Sequence, residues 1–344
     1  MTTTGATRDS SRMTRSLVLA RRPVGLPDPS TWAVVERELP ALADGDVLVE
    51  VTHVSLDPAM RGWLNDVKSY VPAVGLDEVM RSFSAGRVVE SRHADFTAGD
   101  LVVGLLGVTE HAVVPGLELT AAPAAVAGPA TWLGALGMPG MTAWFGLFDV
   151  ARAKAGDTVL VSGAAGAVGS MVGQLAKAQG CRIIGVAGGQ EKTRWLTDEL
   201  GFDAAVDYRE GNLGKAVRTV APDGIDVFFD NVGGEVLDAA LRSLRLGGRI
   251  AICGAISTYN ETSLPPGPKH YMSLLVNRGS MTGFVVFDYE DRYPEAVADI
   301  RRRIGDGSLL VREHVVKGGL EDFGSTLLML FSGENRGKLV LELS

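Results

Sequence analysis

The chain has 344 residues, 46% of them hydrophobic and 22% charged, with 33 Lys and Arg against 41 Asp and Glu for a net charge of −8. That is apolar material for about two domains of roughly 150 residues, with no electrostatic footprint for nucleic acid or an anionic membrane. Two cysteines and five scattered histidines offer no metal-ligand spacing, and no apolar run approaches the ~18 residues of a membrane span.

The polar N-terminus, residues 1–15, reads as a flexible tail without the apolar core of a secretory signal. A mitochondrial-type presequence stays open, with Asp9 against it; a cytoplasmic location is expected. From residue 16 to about 138, β-branched runs alternate with Gly, Pro and Asp: SLVLARR, DVLVEVTHVSL, SAGRVVESR, DLVVGLLG and TEHAVVP. They predict a β-rich, barrel-like domain. Residues 82–116 read as three antiparallel strands joined by turns.

The pattern changes near Pro139. GMTAWFGLFDVARAKAG reads as an apolar helix closed by Gly156. Strands at Thr158–Ser162, Arg182–Ala187, Ala204–Val206, Ile225–Asp230, Arg249–Cys253 and Ser280–Val286 then alternate with helices. The helices fit Ala167–Gln179, Gln190–Leu200, Leu213–Val220, Glu235–Leu244 and Tyr289–Ile304. Gly180, Gly201 and Gly247 stand where a glycine just past a helix end is expected. Near-continuous apolar strands between helices imply a parallel sheet covered on both faces. Both cysteines, Cys181 and Cys253, fall in such runs and read as buried thiols. After Gly307, LLVREHVVKG, a helix near Asp322–Phe331 and a last strand LVLELS break the alternation. They are expected to return to the first domain. The fold class is therefore α/β, with a Rossmann-type doubly wound sheet over 139–307 and a β-rich domain from 16–138 and 308–344.

Thr158 to Gly169, TVLVSGAAGAVG, reads as a buried strand, a glycine turn and the first turn of a helix. A dinucleotide pyrophosphate needs that order, because free N–H groups and the helix dipole meet its charge. Ala164 replaces the first glycine of the G-x-G-x-x-G fingerprint, so the turn alone is weak evidence. An NAD enzyme places an acid near the end of the second strand. Here that end reads Ala187, Gly188, Gly189, followed by Lys192. Glycine leaves room for a 2′-phosphate and lysine neutralises it, so NADP is preferred over NAD. Tyr208, after the third strand, is placed to lie along the adenine or reach the phosphate.

The sequence resembles the medium-chain dehydrogenases/reductases, and within them the zinc-free branch of prostaglandin (leukotriene) reductases, alkenal double-bond reductases and curcumin reductases. The resemblance spans about residues 16–344. It is carried by SLDPAMRGW, LGMPGMTAWFGL, SGAAGAVGS, ELGFDAAVDY, IDVFFDNVGGEVLDAAL, GRIAICGAISTYN, LPPGP and ENRGKLVLEL. It implies that the β-rich domain is the GroES-like catalytic domain, and it implies where NADP(H) lies. Gly166, Ala167, Val168 and Gly169 match the pyrophosphate turn, and Lys192 and Tyr208 the adenosine-phosphate end. Asn231 matches a residue beside the nicotinamide. Cys253, Gly254, Ala255, Ile256, Ser257, Thr258 and Tyr259 match the loop past the nicotinamide and ribose. Phe284, Val285 and Val286 match the strand that holds the carboxamide, and Asn335 a late contact from the C-terminal segment.

The implied chemistry is reduction of an enal or enone C=C bond. Hydride goes to the β-carbon, and charge collects on the carbonyl oxygen as an enolate. Tyr259 is the candidate donor to that oxygen, with the nicotinamide ribose 2′-hydroxyl as the second, and Tyr70 is a second aromatic candidate in the cleft. The chain departs from the branch at Ser82, Phe83 and Ser84, where a phenylalanine is expected to narrow the cleft. A quinone reductase and a non-catalytic NADPH-binding protein stay open as alternatives. A homodimer is expected, with MTGFVVF as an apolar sheet edge.

Overall fold

The computed structural model describes residues 12–344. Strand β1 (Met13–Leu19) pairs antiparallel with β2 (Trp32–Glu38). The expected tail thus lies outside the described residues up to residue 11, while Met13 to Arg15 already belong to β1. Next come β3 (Asp46–Ser55), β4 (Ser84–Ser91), β5 (Leu101–Gly104), β6 (His111–Pro115) and β7 (Thr120–Ala121), with the short helices α1 (Met60–Trp63) and α2 (Pro129–Leu133). The strands of residues 82–116 are antiparallel, but they do not form one three-stranded meander. β4 pairs β5, whereas β6 crosses over to pair β3.

A second sheet fills the middle of the chain. Its strands are β8 (Thr158–Ser162), β9 (Arg182–Ala187), β10 (Ala204–Asp207), β11 (Ile225–Asp230), β12 (Leu244–Ile252) and β13 (Ser280–Gly283). All pairings are parallel, in the order β10-β9-β8-β11-β12-β13. This is the doubly wound order of a dinucleotide-binding sheet, with its switch point between β8 and β11. The helices are α3 (Met138–Phe145), α4 (Ala167–Ala178), α5 (Gln190–Asp198), α6 (Leu213–Val220), α7 (Gly234–Arg242), α8 (Met272–Asn277) and α9 (Tyr293–Gly305). Helices cover both faces, which is why Val159, Leu160 and Val161 are all fully buried in succession.

The C-terminal elements are β14 (Glu313–Gly318), α10 (Phe323–Ser332) and β15 (Lys338–Leu343). β15 pairs antiparallel with β3, so the chain end rejoins the first sheet.

Several element ends differ from the sequence reading. The helix after Pro139 gives way to one π-helical turn, Gly146–Val150, and Arg152 at φ +50° lies beyond it, well short of Gly156. β13 stops at Gly283 because its partner β12 ends opposite, at Ile252. Phe284–Val286 therefore leave the ladder. The next α-helix starts at Tyr293, which puts Pro294 in its first turn, where a missing N–H costs nothing. Gly180 does follow the α4 cap at φ +87°. Gly247 instead lies inside β12, since α7 already ends at Arg242.

Candidate active site

A cavity of about 930 Å³ lies where the carboxyl ends of the parallel sheet face α1 and the C-terminal segment. At the switch point, β8 runs into a turn whose Gly163 holds φ +58°. A Cβ on Gly169 would stand 2.4 Å from the Gly163 carbonyl oxygen, so only glycine lets α4 pack this close. No side chain caps α4 at Gly166. Its first-turn N–H groups, at Ala167, Val168 and Gly169, border the cavity and are suited to an anion.

The end of β9 forms the next wall. A Cβ on Gly188 would meet Tyr208 Cε1 at 2.8 Å and Arg209 Nε at 2.9 Å, so the glycine is what lets these side chains close in. Lys192 Nζ donates to the Gly333 carbonyl at 2.8 Å. From a Cβ built on Gly333, Arg209 Nη2 is 3.5 Å away and Lys192 Nζ 4.0 Å, so the two cations converge on one place. Burial lowers the Lys192 pKa, and Arg209 and Arg336 lower it further. Neither Lys192 nor Arg209 has a carboxylate partner among the described residues, whereas Glu191 is taken by Arg336. Arg209 is a site residue that sequence reasoning missed. Its signal was available, a cation directly after Tyr208.

On the other side of the switch point, Asp230 is buried. Its Oδ1 accepts from Ser162 Oγ at 2.8 Å and from the N–H groups of Val232 and Gly233 at 2.9 Å each. Burial nevertheless pushes the Asp230 carboxyl up. The network locks the turn that presents Asn231, whose Nδ2 donates to the Ser162 carbonyl at 2.7 Å.

Past β12, Cys253 through Tyr259 form a loop with one 3-10 turn, Ile256–Thr258. The Tyr259 hydroxyl accepts from the Ala255 N–H at 3.1 Å. Its own proton has no acceptor among the described residues. Burial pushes the Tyr259 hydroxyl up in pKa, against the Ala255 N–H, and nearby Cys253 and Tyr70 push the same way. Tyr70 is 54% exposed over the whole residue, yet burial raises the pKa of its hydroxyl end. That hydroxyl stands beside the buried Trp63 Nε1, in a contact short of hydrogen-bond geometry.

Of the sequence-predicted site residues, Ala255 does not line the cavity; its N–H holds Tyr259 instead. All the others do: Tyr70, Gly166 to Gly169, Lys192, Tyr208, Asn231, Cys253, Gly254, Ile256 to Tyr259, Phe284 to Val286 and Asn335. Phe83 does not narrow the cleft. It packs with Leu133 and Val340 behind Phe287, the ring that does line the wall. Ser82 and Ser84 spend their hydroxyls on backbone carbonyls, those of Ser55 and Gly107.

Family models described as the N-terminal domain of oxidoreductase and as zinc-binding dehydrogenase match residues 15–122 and 167–302. The NADPH-dependent curcumin reductase of Escherichia coli (strain K12) is 38% identical over 96% of this chain and 97% of its own. Prostaglandin reductase 1 of Bos taurus is 40% identical over 95% and 98%. The chain belongs to the medium-chain dehydrogenase/reductase family. Within that family its relatives fall in the prostaglandin, curcumin and alkenal reductase branch. The structure of CurA from Vibrio vulnificus in complex with NADPH superposes with a TM-score of 0.90, at 42% identity, over 96% of this chain and 99% of that one. Among the described residues of this family member, no three His, Cys, Asp or Glu side chains cluster as a metal site. No helix among them is long and apolar enough to cross a membrane.

Proposed function

We propose that this chain is an NADPH-dependent reductase of the C=C bond of α,β-unsaturated aldehydes and ketones. The observation that carries the reading is the Tyr259 hydroxyl, held by Ala255 N–H with its own proton left for the cavity. The names of the relatives, an NADPH-dependent curcumin reductase, a prostaglandin reductase and an NADP(+)-dependent 2-alkenal reductase, point the same way.

The cofactor supplies a hydride when bound. Ala167 to Gly169 would present N–H groups to its pyrophosphate, Lys192 and Arg209 would neutralise its 2′-phosphate, and Asn231 and Phe284–Val286 would border its nicotinamide end. At Gly188 there is no acid to repel that phosphate, and the glycine lets Tyr208 and Arg209 close in. The substrate lies against Tyr70, Trp63 and Tyr259. As hydride reaches the β-carbon, the C=C electron pair moves toward the carbonyl oxygen to form an enolate. Tyr259 donates its proton in a hydrogen bond to that oxygen. Losing one such donor costs about 2.7–4 kcal/mol of transition-state stabilisation. A proton then joins the α-carbon, from water or from Tyr259, and the saturated carbonyl leaves.

We also propose a homodimer. β13 is one of the two edge strands of the parallel sheet, the other being β10. Beside β13, α8 and its preceding residue expose Tyr271, Met272, Leu275 and Val276, each at least half accessible. Pairing two such edges across a two-fold axis would cover them. The test of function is NADPH depletion across enals, enones and quinones, with product masses. Turnover of quinones alone would remove the reading, and sedimentation as a monomer at micromolar concentration would remove the dimer.

A further inference from the structure

Arg61 lies on α1 and is 2% exposed. Its Nε donates to the Gly25 carbonyl at 2.9 Å and to Asn260 Oδ1 at 3.2 Å, and its Nη1 to Asn65 Oδ1 at 2.7 Å. Every acceptor is neutral. Among the described residues this guanidinium has no ion pair, and burial lowers its pKa. A buried charge without a counter-charge is costly, and an apolar side chain could fill the same space. What the guanidinium joins explains why it is there.

Asn260 directly follows Tyr259, on the loop that leaves β12 of the parallel sheet. Arg61 belongs to the other part of the fold, between β3 and β4. A Cβ on Gly25 would stand 3.7 Å from both Asn260 O and Thr262 Cγ2, so the two loops touch where Arg61 ties them. Two residues on from Arg61, the same helix sends Trp63 into the cavity wall.

We propose that Arg61 is a positioning residue for the reaction. It acts through Asn260 to set the Tyr259 hydroxyl against the wall formed by Trp63. The proposal rests on the reading of Tyr259 as the donor to the enolate oxygen. The Ala255 N–H holds Tyr259 within its own loop; Arg61 holds that loop to the part of the fold that shapes the substrate pocket. The planar fork meets acceptors in two directions at once, which the point charge of a lysine does not reproduce. Lys192 and Gly166 to Gly169, at the nucleotide end, have no contact with this tie, so the contacts that would hold the adenosine phosphate and pyrophosphate do not depend on it.

The test is single-turnover oxidation of NADPH by a straight-chain enone in wild type, Arg61→Met, Asn260→Ala, Tyr259→Phe and the Arg61→Met/Tyr259→Phe double variant. NADPH affinity is read alongside by fluorescence. Arg61→Met and Asn260→Ala are each expected to slow hydride transfer roughly 10- to 100-fold, as small misplacements of a reacting group do. NADPH Kd stays within about twofold, and Arg61→Met adds nothing once Tyr259 is Phe. If Tyr259→Phe slows transfer while Arg61→Met and Asn260→Ala do not, or if the losses multiply in the double variant, the positioning role is overturned and Tyr259 keeps its own. If Tyr259→Phe transfers hydride at the wild-type rate, the donor reading falls and this proposal with it. Should Arg61→Met not fold, Asn260→Ala and its double with Tyr259→Phe decide by the same criteria.

Discussion

Lys192 Nζ and the Gly333 carbonyl meet at 2.8 Å, joining α5 of the parallel sheet to the end of α10. With Arg209 beside them, the ammonium has a neutral acceptor and a like charge, while the nearby carboxylate, Glu191, is paired with Arg336. A 2′-phosphate would supply an unpaired anion. Lys192→Ala is expected to weaken NADPH binding roughly 10- to 150-fold, the value of a charge-assisted hydrogen bond, and to leave NADH nearly unchanged. Arg209→Ala should do the same in smaller measure. Titrations of both cofactors check it; equal losses for NADPH and NADH would contradict the assignment.

The Tyr259 hydroxyl acts as a donor only while protonated. Burial holds its pKa above the ordinary tyrosine value of about 10. The sign follows: donor function is present below that raised pKa and lost as pH climbs through it. Single-turnover hydride transfer should therefore be flat between about pH 6 and 9. Tyr259→Phe should lower the rate by roughly 100-fold, and the remaining rate should be equally flat. A rate that falls with an apparent pKa inside that window would assign the step to another group.

Cys253, read as a buried thiol, is only partly buried and lines the cavity, yet desolvation, with Asp230 nearby, pushes its thiol up to about 12. At neutral pH roughly one thiol in 100,000 is then ionised, and the thiolate is the nucleophile. Intact mass after prolonged exposure to an enone without NADPH should show no adduct at Cys253. Rapid alkylation there would mean that the thiol is far more acidic than its surroundings imply.

Lys338 is buried and its Nζ donates to Asp57 Oδ1 at 2.6 Å and to the Leu56 carbonyl at 3.0 Å. This pair pins the segment before α1 to β15. Lys338→Met leaves Asp57 buried and unpaired, which should cost about 3–5 kcal/mol of stability. Adding Asp57→Leu should recover much of the loss, because an apolar pair needs no counter-charge. Urea unfolding of the three proteins checks both values.

Much of this architecture was legible in the sequence. Apolar runs such as TVLVS announce strands buried on both faces, and the order of strand, glycine turn and helix announces the nucleotide end. Element ends were harder, because they depend on partners. β13 ends at Gly283 only because β12 ends opposite it, and no property of Phe284 predicts that. Gly247 looks like a helix terminus locally but sits in β12, in the irregular stretch between Leu244 and Arg249, which pair with β11. Motifs singled out Tyr259 and Asn231, the acid-free end of β9 singled out Lys192, and all three line the cavity. Arg209 and Arg61 were not singled out: Arg209 had only its place directly after Tyr208 to signal it, and Arg61 meets Asn260, a residue distant in the chain. Phe83 was misjudged because its side chain points into a small satellite core rather than the cleft.

The most direct measurement of the central claim is anaerobic turnover of a simple enone with NADPH carrying deuterium at the transferred position. Product mass and NMR then locate the label. Deuterium on the β-carbon of a saturated carbonyl compound is the predicted result. Deuterium on the carbonyl carbon of an allylic alcohol, or oxidation of NADPH with quinones and none with enones, would contradict it.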